Sequence, residues 1–481
     1  MHDLVRHYID GVWDEPGADP GVIDVVDPAT LKPIGATVAG TSTDVDRAVR
    51  AARRAFPGWS ALPATRRIEA VRRLAEALDA HRDRLAVTLT SEMGSPLAFS
   101  RQAQVGVAIA DLEALIEAAE NLAGPTPVSD SLVVTEPVGV VAAITPWNFP
   151  LHQIVLKAGA ALLAGCTVVL KPSEVAPLNA AVLTELIHGL GLPDGTFNVV
   201  FGDGSAVGEP LCAHPDVDMV TFTGSRAVGE RVARTAASTI KKVALELGGK
   251  SAAIALDDAD TASTAAQVVR SCFANTGQTC AALTRLLVPR ESLDDWYEAV
   301  VTEAADWWPG DPFLAGTVMG PLASLVQLER VRRHIDQAVR EGARLLTGGT
   351  DILPSLAAGA YIAPTVLGAV TPDMKIFREE VFGPVLAITG YDDEDHAVEL
   401  ANDSDYGLSG GVWSADPLRA LEVARRLRTG TVGINGAGLD VGAPFGGYKQ
   451  SGIGRECGAQ GLAEFLETKT VMGARDLHTS L

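Results

Sequence analysis

Apolar residues at Val45, Ala48, Val49, Ala52 and Phe56 keep the spacing of one helix face, which predicts a helix over residues 43–56. Asp44, near its start, suits the first turn as a cap or a dipole partner. A second stripe, Ile68, Val71, Leu74, Leu78 and Leu85, predicts one helix over 65–86. An alanine-rich helix is expected over 102–121, stopping before Gly124-Pro125. The pattern then changes period. Residues 129–139, rich in Val and Thr, read as a strand or hairpin arm. Residues 138–144 are continuously apolar, as a strand covered on both faces would be. Helix 151–163, strand 167–170, helix 180–190, strand 197–201, strand 217–222, a helix and strand 243–247 follow.

From 138 to 250, then, strands alternate with helices. That order implies a parallel, doubly wound sheet with right-handed crossovers, whose ligand sits beyond the carboxyl ends of the strands. After 250 the alternation resumes in kind: helix 261–274, strand 285–288, helix 293–307, and more to about 435. No short repeat or low-complexity linker separates the halves, so the break near 250 rests on pattern alone.

Composition narrows the picture. A chain of 481 residues exceeds one ordinary core and implies two or three domains. The formal charge of −21 repels phosphate backbones, so nucleic acid is not an expected partner. Five cysteines, Cys166, Cys212, Cys272, Cys280 and Cys457, form no disulfide framework and no zinc-ligand spacing. A reducing, cytoplasmic setting is expected, with no metal. Residues 1–11 carry charges and no signal core. The most apolar stretch, 154–170, is short and contains Lys157, so no membrane anchor is expected.

Five segments carry candidate chemistry. Phe273-Ala274-Asn275-Thr276-Gly277-Gln278-Thr279-Cys280 sets a thiol after small polar residues, where it can ionise and attack a carbonyl carbon. The other cysteines read as small buried hydrophobes, Cys457 remaining open. Leu245-Glu246-Leu247-Gly248-Gly249-Lys250 ends a strand with a carboxylate. It is either satisfied by backbone or Lys250, or a base whose pKa burial raises. Asn148, in Pro146-Trp147-Asn148-Phe149-Pro150, either caps the next helix or donates to an oxyanion. Lys171-Pro172-Ser173-Glu174 suits ribose hydroxyls or a surface salt bridge. The glycine loop 202–208 is one residue longer than a dinucleotide fingerprint, and Phe222-Thr223-Gly224-Ser225 precedes a helix whose free N–H groups could face phosphate.

Together these segments resemble the aldehyde dehydrogenase superfamily. The resemblance runs from Tyr8-Ile9-Asp10-Gly11 to Glu467-Thr468-Lys469-Thr470-Val471, and includes Glu379-Glu380-Val381-Phe382-Gly383-Pro384 and Pro444-Phe445-Gly446-Gly447-Tyr448-Lys449. It implies an α/β fold: a Rossmann-like NAD-binding domain (1–117 and 138–248), an α/β catalytic domain (249–447) and a small β oligomerisation arm (118–137 and 466–481), with 448–465 connecting back to the NAD side. It implies oxidation of a small aldehyde to a carboxylic acid with NAD, through a thiohemiacetal and thioester on Cys280. Glu246 would be the general base, Asn148 the oxyanion donor and Glu456 a second acid relaying protons. NAD contacts would come from Ile144, Thr145, Pro146, Trp147, Lys171, Ser173, Glu174, Gly204, Phe222, Thr223, Gly224, Ser225, Leu247, Gly248, Glu380 and Phe382. Phe149, Leu156, Thr279, Ala281 and Phe445 would line an apolar substrate tunnel, and the assembly would be a homodimer or homotetramer. A CoA-acylating dehydrogenase and a cysteine hydrolase are the alternatives. The first generally lacks a glutamate at position 246, and the second wants a histidine partner that no motif here supplies.

Overall fold

The computed structural model describes residues 4–14, 21–122, 124–351 and 354–475. The ends of the expected domains at 1–3 and 476–481 lie outside the described residues.

Helices α1 (Ser42–Ser60), α2 (Ala64–Ala80), α3 (Arg82–Met93), α4 (Gly106–Glu120), α5 (Pro150–Ala164) and α6 (Leu178–Leu190) pack around the first sheet. Thr41 and Asp44 close a reciprocal capping box at the start of α1. The single helix expected over 65–86 is two, α2 and α3. His81 leaves helical geometry (φ −109°, ψ 17°), and its ring bonds the Ala77 carbonyl at 2.9 Å. The apolar spacing runs straight through this break because Leu78 and Leu85 still face one core. The helix expected from 102 begins instead as a widened π turn at Ser100–Val105.

Strands β1 (Val140–Ile144), β2 (Thr167–Lys171), β3 (Phe197–Val199), β4 (Met219–Thr223) and β5 (Lys242–Glu246) lie parallel in the spatial order β5-β4-β1-β2-β3. Short antiparallel strands extend this sheet, Gly452–Ile453 beyond β5 and the hairpin Tyr8–Ile9 with Val12–Trp13 beyond β3. The chain leaves β1 toward β2 and later returns on its other side, so strand order reverses between β1 and β4. A crevice opens at such a switch point. Register brings the carboxyl ends level there: Ile144 pairs with Lys171 and Phe222, and Thr223 with Glu246. Side chains of β1 alternate between two cores, Val141 and Ala143 in one and Val140, Ala142 and Ile144 in the other. Both faces are thus covered, as a fully apolar strand requires.

Between Glu246 and Ser251 the chain crosses to a second sheet of seven strands. Six are parallel, among them Ser251–Ala255, Leu283–Pro289, Val385–Tyr391 and Ser409–Trp413; Arg344–Thr347 is antiparallel at one edge. Helix α7 (Thr261–Phe273) covers one face. A third sheet pairs Leu466–Met472 with Ser131–Pro137 over seven residues, and Ser131–Pro137 with Thr126–Val128. A small N-terminal sheet built on Val22–Asp27 and Lys32–Val38 has no counterpart in the sequence-based reading. Its strands mix polar and apolar residues without clean alternation. Among the described residues no helix is long and apolar enough to cross a membrane.

Candidate active site

The thiol loop follows α7 through three consecutive left-handed residues, Asn275 (φ 54°), Thr276 (φ 57°) and Gly277 (φ 69°). Two non-glycine residues in that region are strained, and such strain persists only where the surroundings hold it. Asn275 accepts from Ser95 Oγ (2.6 Å) and donates to the Asn148 carbonyl (3.0 Å), and Thr276 donates to the Gly320 carbonyl (3.1 Å). At Gly277 any Cβ would overlap the Gly383 carbonyl, so only glycine fits. Gln278 accepts from the Ala323 amide at 2.8 Å and fixes the last turn before the thiol.

Cys280 emerges, partly exposed, into a chamber of about 130 Å³ that Asn148, Glu246, Glu380, Phe382 and Phe445 also line. The backbone carbonyl of Asn148 is held by Gln104 (2.9 Å) and Asn275, and its Nδ2 donates to the Gln278 carbonyl at 3.1 Å. Both carboxylate oxygens of Glu246 are buried without a partner among the described residues. Burial first, then the charge of Glu456, pushes the Glu246 carboxyl well above its ordinary range, while Lys157 and Arg455 pull the other way. Burial, Glu246 and Glu380 push the Cys280 thiol up to about 12.

Behind Glu246 lies a polar network that sequence reasoning did not assemble. Lys157, fully buried on α5, donates to Thr223 Oγ1 (2.7 Å) and Gln153 Oε1 (3.2 Å) and pairs with Glu456 Oε1. The signal was a lysine in an otherwise apolar helix, since a buried cation requires a carboxylate. Asp111 on α4 and His152 on α5 form a second buried pair nearby.

A model of the aldehyde dehydrogenase family matches residues 13–471. The chain belongs to the aldehyde dehydrogenase family. The 3-succinoylsemialdehyde-pyridine dehydrogenase of a Pseudomonas species is 48% identical over 480 residues, spanning 98% of this chain and 99% of that protein. A mutant aldehyde dehydrogenase C from Pseudomonas syringae, crystallised with NAD+ and octanal, is similar with TM-score 0.96 and 43% identity, over 97% of this chain and 96% of that one. The betaine aldehyde dehydrogenase of Staphylococcus aureus with NAD+ gives TM-score 0.94 and 38% identity, over 98% and 95%.

In this aldehyde dehydrogenase the chamber also takes in Pro146, Trp147, Thr223, Gly224, Ser225, Leu247 and Gly248 from the ends of β1, β4 and β5. Trp147 and Phe382 meet edge to face at 5.4 Å. A Cβ on Gly248 would overlap the Glu380 carboxylate, whose Oε1 accepts from Gly249 N at 3.0 Å. Thr145 Oγ1 is buried without a partner among the described residues. Outside the chamber, Lys171 and Glu174 pair at 2.6 Å and Ser173 Oγ accepts from Val175 N. Gly204 opens a turn capped by Asp203, and a side chain there would meet open space. The side chains of Ile144 and Phe222 pack into a hydrophobic core rather than the chamber.

Three of the expected substrate residues, Thr279, Ala281 and Phe445, line a groove of about 910 Å³, and Phe445 also walls the chamber. Phe149 meets the rings of Phe99 and His152 edge-on and lines neither space. Leu156 packs into the core around the first sheet and lines neither space.

Proposed function

We propose that Cys280 is the nucleophile and Glu246 the base of a hydrolytic, NAD-dependent aldehyde oxidation. The observation that carries this reading is the carboxyl of Glu246, buried without a partner among the described residues, in one chamber with Cys280 and Asn148. NAD+, when bound, supplies the hydride acceptor. The residues fit such a group: a Cβ on Gly248 would overlap the Glu380 carboxylate, so the wall there is bare backbone, and the N-terminus of the helix after Ser225 opens into the chamber. Pro146, Trp147, Thr223, Leu247, Glu380 and Phe382 would hold the reacting half. Lys171, Ser173, Glu174 and Gly204 would hold the adenosine half. The Glu174 carboxylate repels a 2′-phosphate and favours NAD over NADP.

Ionised Glu246 takes the Cys280 proton and passes it to Glu456 as the sulfur adds to the aldehyde carbon. Asn148 Nδ2 and the Cys280 N–H donate to the resulting alkoxide, whose charge expels hydride from carbon and leaves a thioester on sulfur. Each such donor contributes about 3–4 kcal/mol. Glu246 then takes a proton from the water that attacks the thioester, the carboxylic acid leaves, and the thiolate is restored. Glu456, paired with Lys157, receives the proton from Glu246.

The expected outcome for Cys280→Ser is lost NADH production with NAD+ binding retained, read from quenching of Trp147 fluorescence. Glu246→Gln should give a burst of about one NADH per site followed by slow turnover. A normal steady-state rate in Glu246→Gln rejects the base assignment. Acid should form with or without CoA.

The 1–117 and 138–248 segments form the NAD-binding unit and 249–447 the catalytic unit in this reading; 448–465 returns through the pairing of Gly452–Ile453 with β5. The paired strands Ser131–Pro137 and Leu466–Met472 serve as the arm of a homodimer or homotetramer. Five free thiols support a cytoplasmic setting.

A further inference from the structure

The groove beside Cys280 carries a charge that aldehyde oxidation itself does not use. Its inner end is formed by Thr279, Ala281 and Phe445, and much of its remaining wall is apolar side chain or glycine backbone. Helix α7 contributes Gln267, Arg270 and Ser271, spaced so that all three share one helix face. Gln267 is tied in place, accepting from Trp413 Nε1 at 3.0 Å and donating to Ser263 Oγ at 3.0 Å. Ser271 Oγ accepts from Leu283 N at 3.4 Å. The Arg270 guanidinium has no ion pair or side-chain hydrogen bond among the described residues. The other charged residue of the lining, Asp440, stands on the 435–444 loop and accepts from Gly442 N at 3.0 Å.

An arginine in the last turn of α7 suits the helix dipole. The dipole explains a cation at that end but not its direction, since any face would satisfy it. Here Arg270 lines the groove that also takes in Thr279 and Ala281, the two neighbours of Cys280. A chain of net charge −21 opposes the approach of an anion, and Arg270 supplies the groove lining's one positive charge against the single negative charge of Asp440. Its planar fork matches a carboxylate in bidentate fashion.

We propose that Arg270 selects aldehydes that carry a carboxylate at the end remote from the aldehyde carbon. This rests on the reading of Cys280 as the nucleophile at the groove's inner end. The aldehyde enters first toward Cys280, and the distal carboxylate stays on the α7 face.

The test compares ω-oxo carboxylic acids with alkanals of matching length, each followed by NADH formation. In the wild type, kcat/KM should favour an oxo acid over its alkanal, and the ratio should fall with ionic strength as the pair is screened. Arg270→Gln should lower the ratio by about tenfold, Arg270→Lys by less, and Arg270→Glu should invert it. A wild-type preference for alkanals overturns the proposal, as does a ratio unchanged in Arg270→Gln. Parallel loss of both activities in Arg270→Gln also overturns it, because that marks a structural role. A wild type inert toward both series sinks the Cys280 reading instead, and this inference with it.

Discussion

Glu246 and Glu456 are two buried carboxyls, of which Glu456 pairs with Lys157 while Lys157 and Arg455 together favour the ionised form of Glu246. Removing the Glu456 charge takes away a repulsion that keeps Glu246 protonated, so Glu456→Gln should let Glu246 ionise at lower pH. If Glu246 is the base for thioester hydrolysis, the rising limb of the kcat–pH profile moves to lower pH in Glu456→Gln. It moves to higher pH in Lys157→Met, where the favourable cation is lost. Shifts in the same direction for both variants would refute the coupling. Much of this site was legible as residue types: a thiol after Asn275 and Gly277, a glutamate ending a strand, an asparagine at the next strand end. Lys157, Gln153 and Thr223 were not legible as partners, because nothing local marks a contact between α5 and a residue 299 positions on. Arg270 escaped for a related reason: a charged side chain in the last turn of an exposed helix end looks like ordinary solvation until the groove is seen.

At the scale of elements, α3 and α6 are joined by one buried side chain. Glu92 accepts from Leu178 N (2.6 Å), Asn179 N (2.9 Å) and Asn179 Nδ2 (2.7 Å), and so serves the N-terminus of a helix distant in sequence. Burial outweighs those bonds and pushes its carboxyl up to about 7. The unfolded chain releases that proton near 4.5. Between these values the native state binds more protons, so stability from this group falls as pH rises. Glu92→Gln should flatten the fall in apparent Tm across that window. Glu92→Ala should lower Tm at every pH, since each orphaned N–H costs about 1–3 kcal/mol. An unchanged Tm in Glu92→Ala would show that water replaces the carboxyl. Sequence periodicity found α6 and most strands of the first sheet, because burial on one or two faces writes itself into apolar spacing. It missed the break at His81, where a ring competes for a backbone carbonyl while the apolar stripe continues.

On the scale of the molecule, the three-stranded sheet of Thr126–Val128, Ser131–Pro137 and Leu466–Met472 has little core of its own. Leu132 is its one fully buried side chain among the described residues, while Met472 is 84% exposed. Three strands need an apolar face to be stable, and an open edge invites another chain. Leu466–Met472 forms that edge, carrying Val471 and Met472 outward. Against association stands the charge of −21 on each copy, whose repulsion salt screens. If this sheet joins copies, the assembly strengthens with ionic strength, and Val471→Asp with Met472→Asp lowers the sedimenting mass by adding charge at the edge. Because the edge lies far in the topology from the thiol loop, the dissociated variant should still bind NAD+. A mass that ignores both the substitutions and the salt would assign association to another surface.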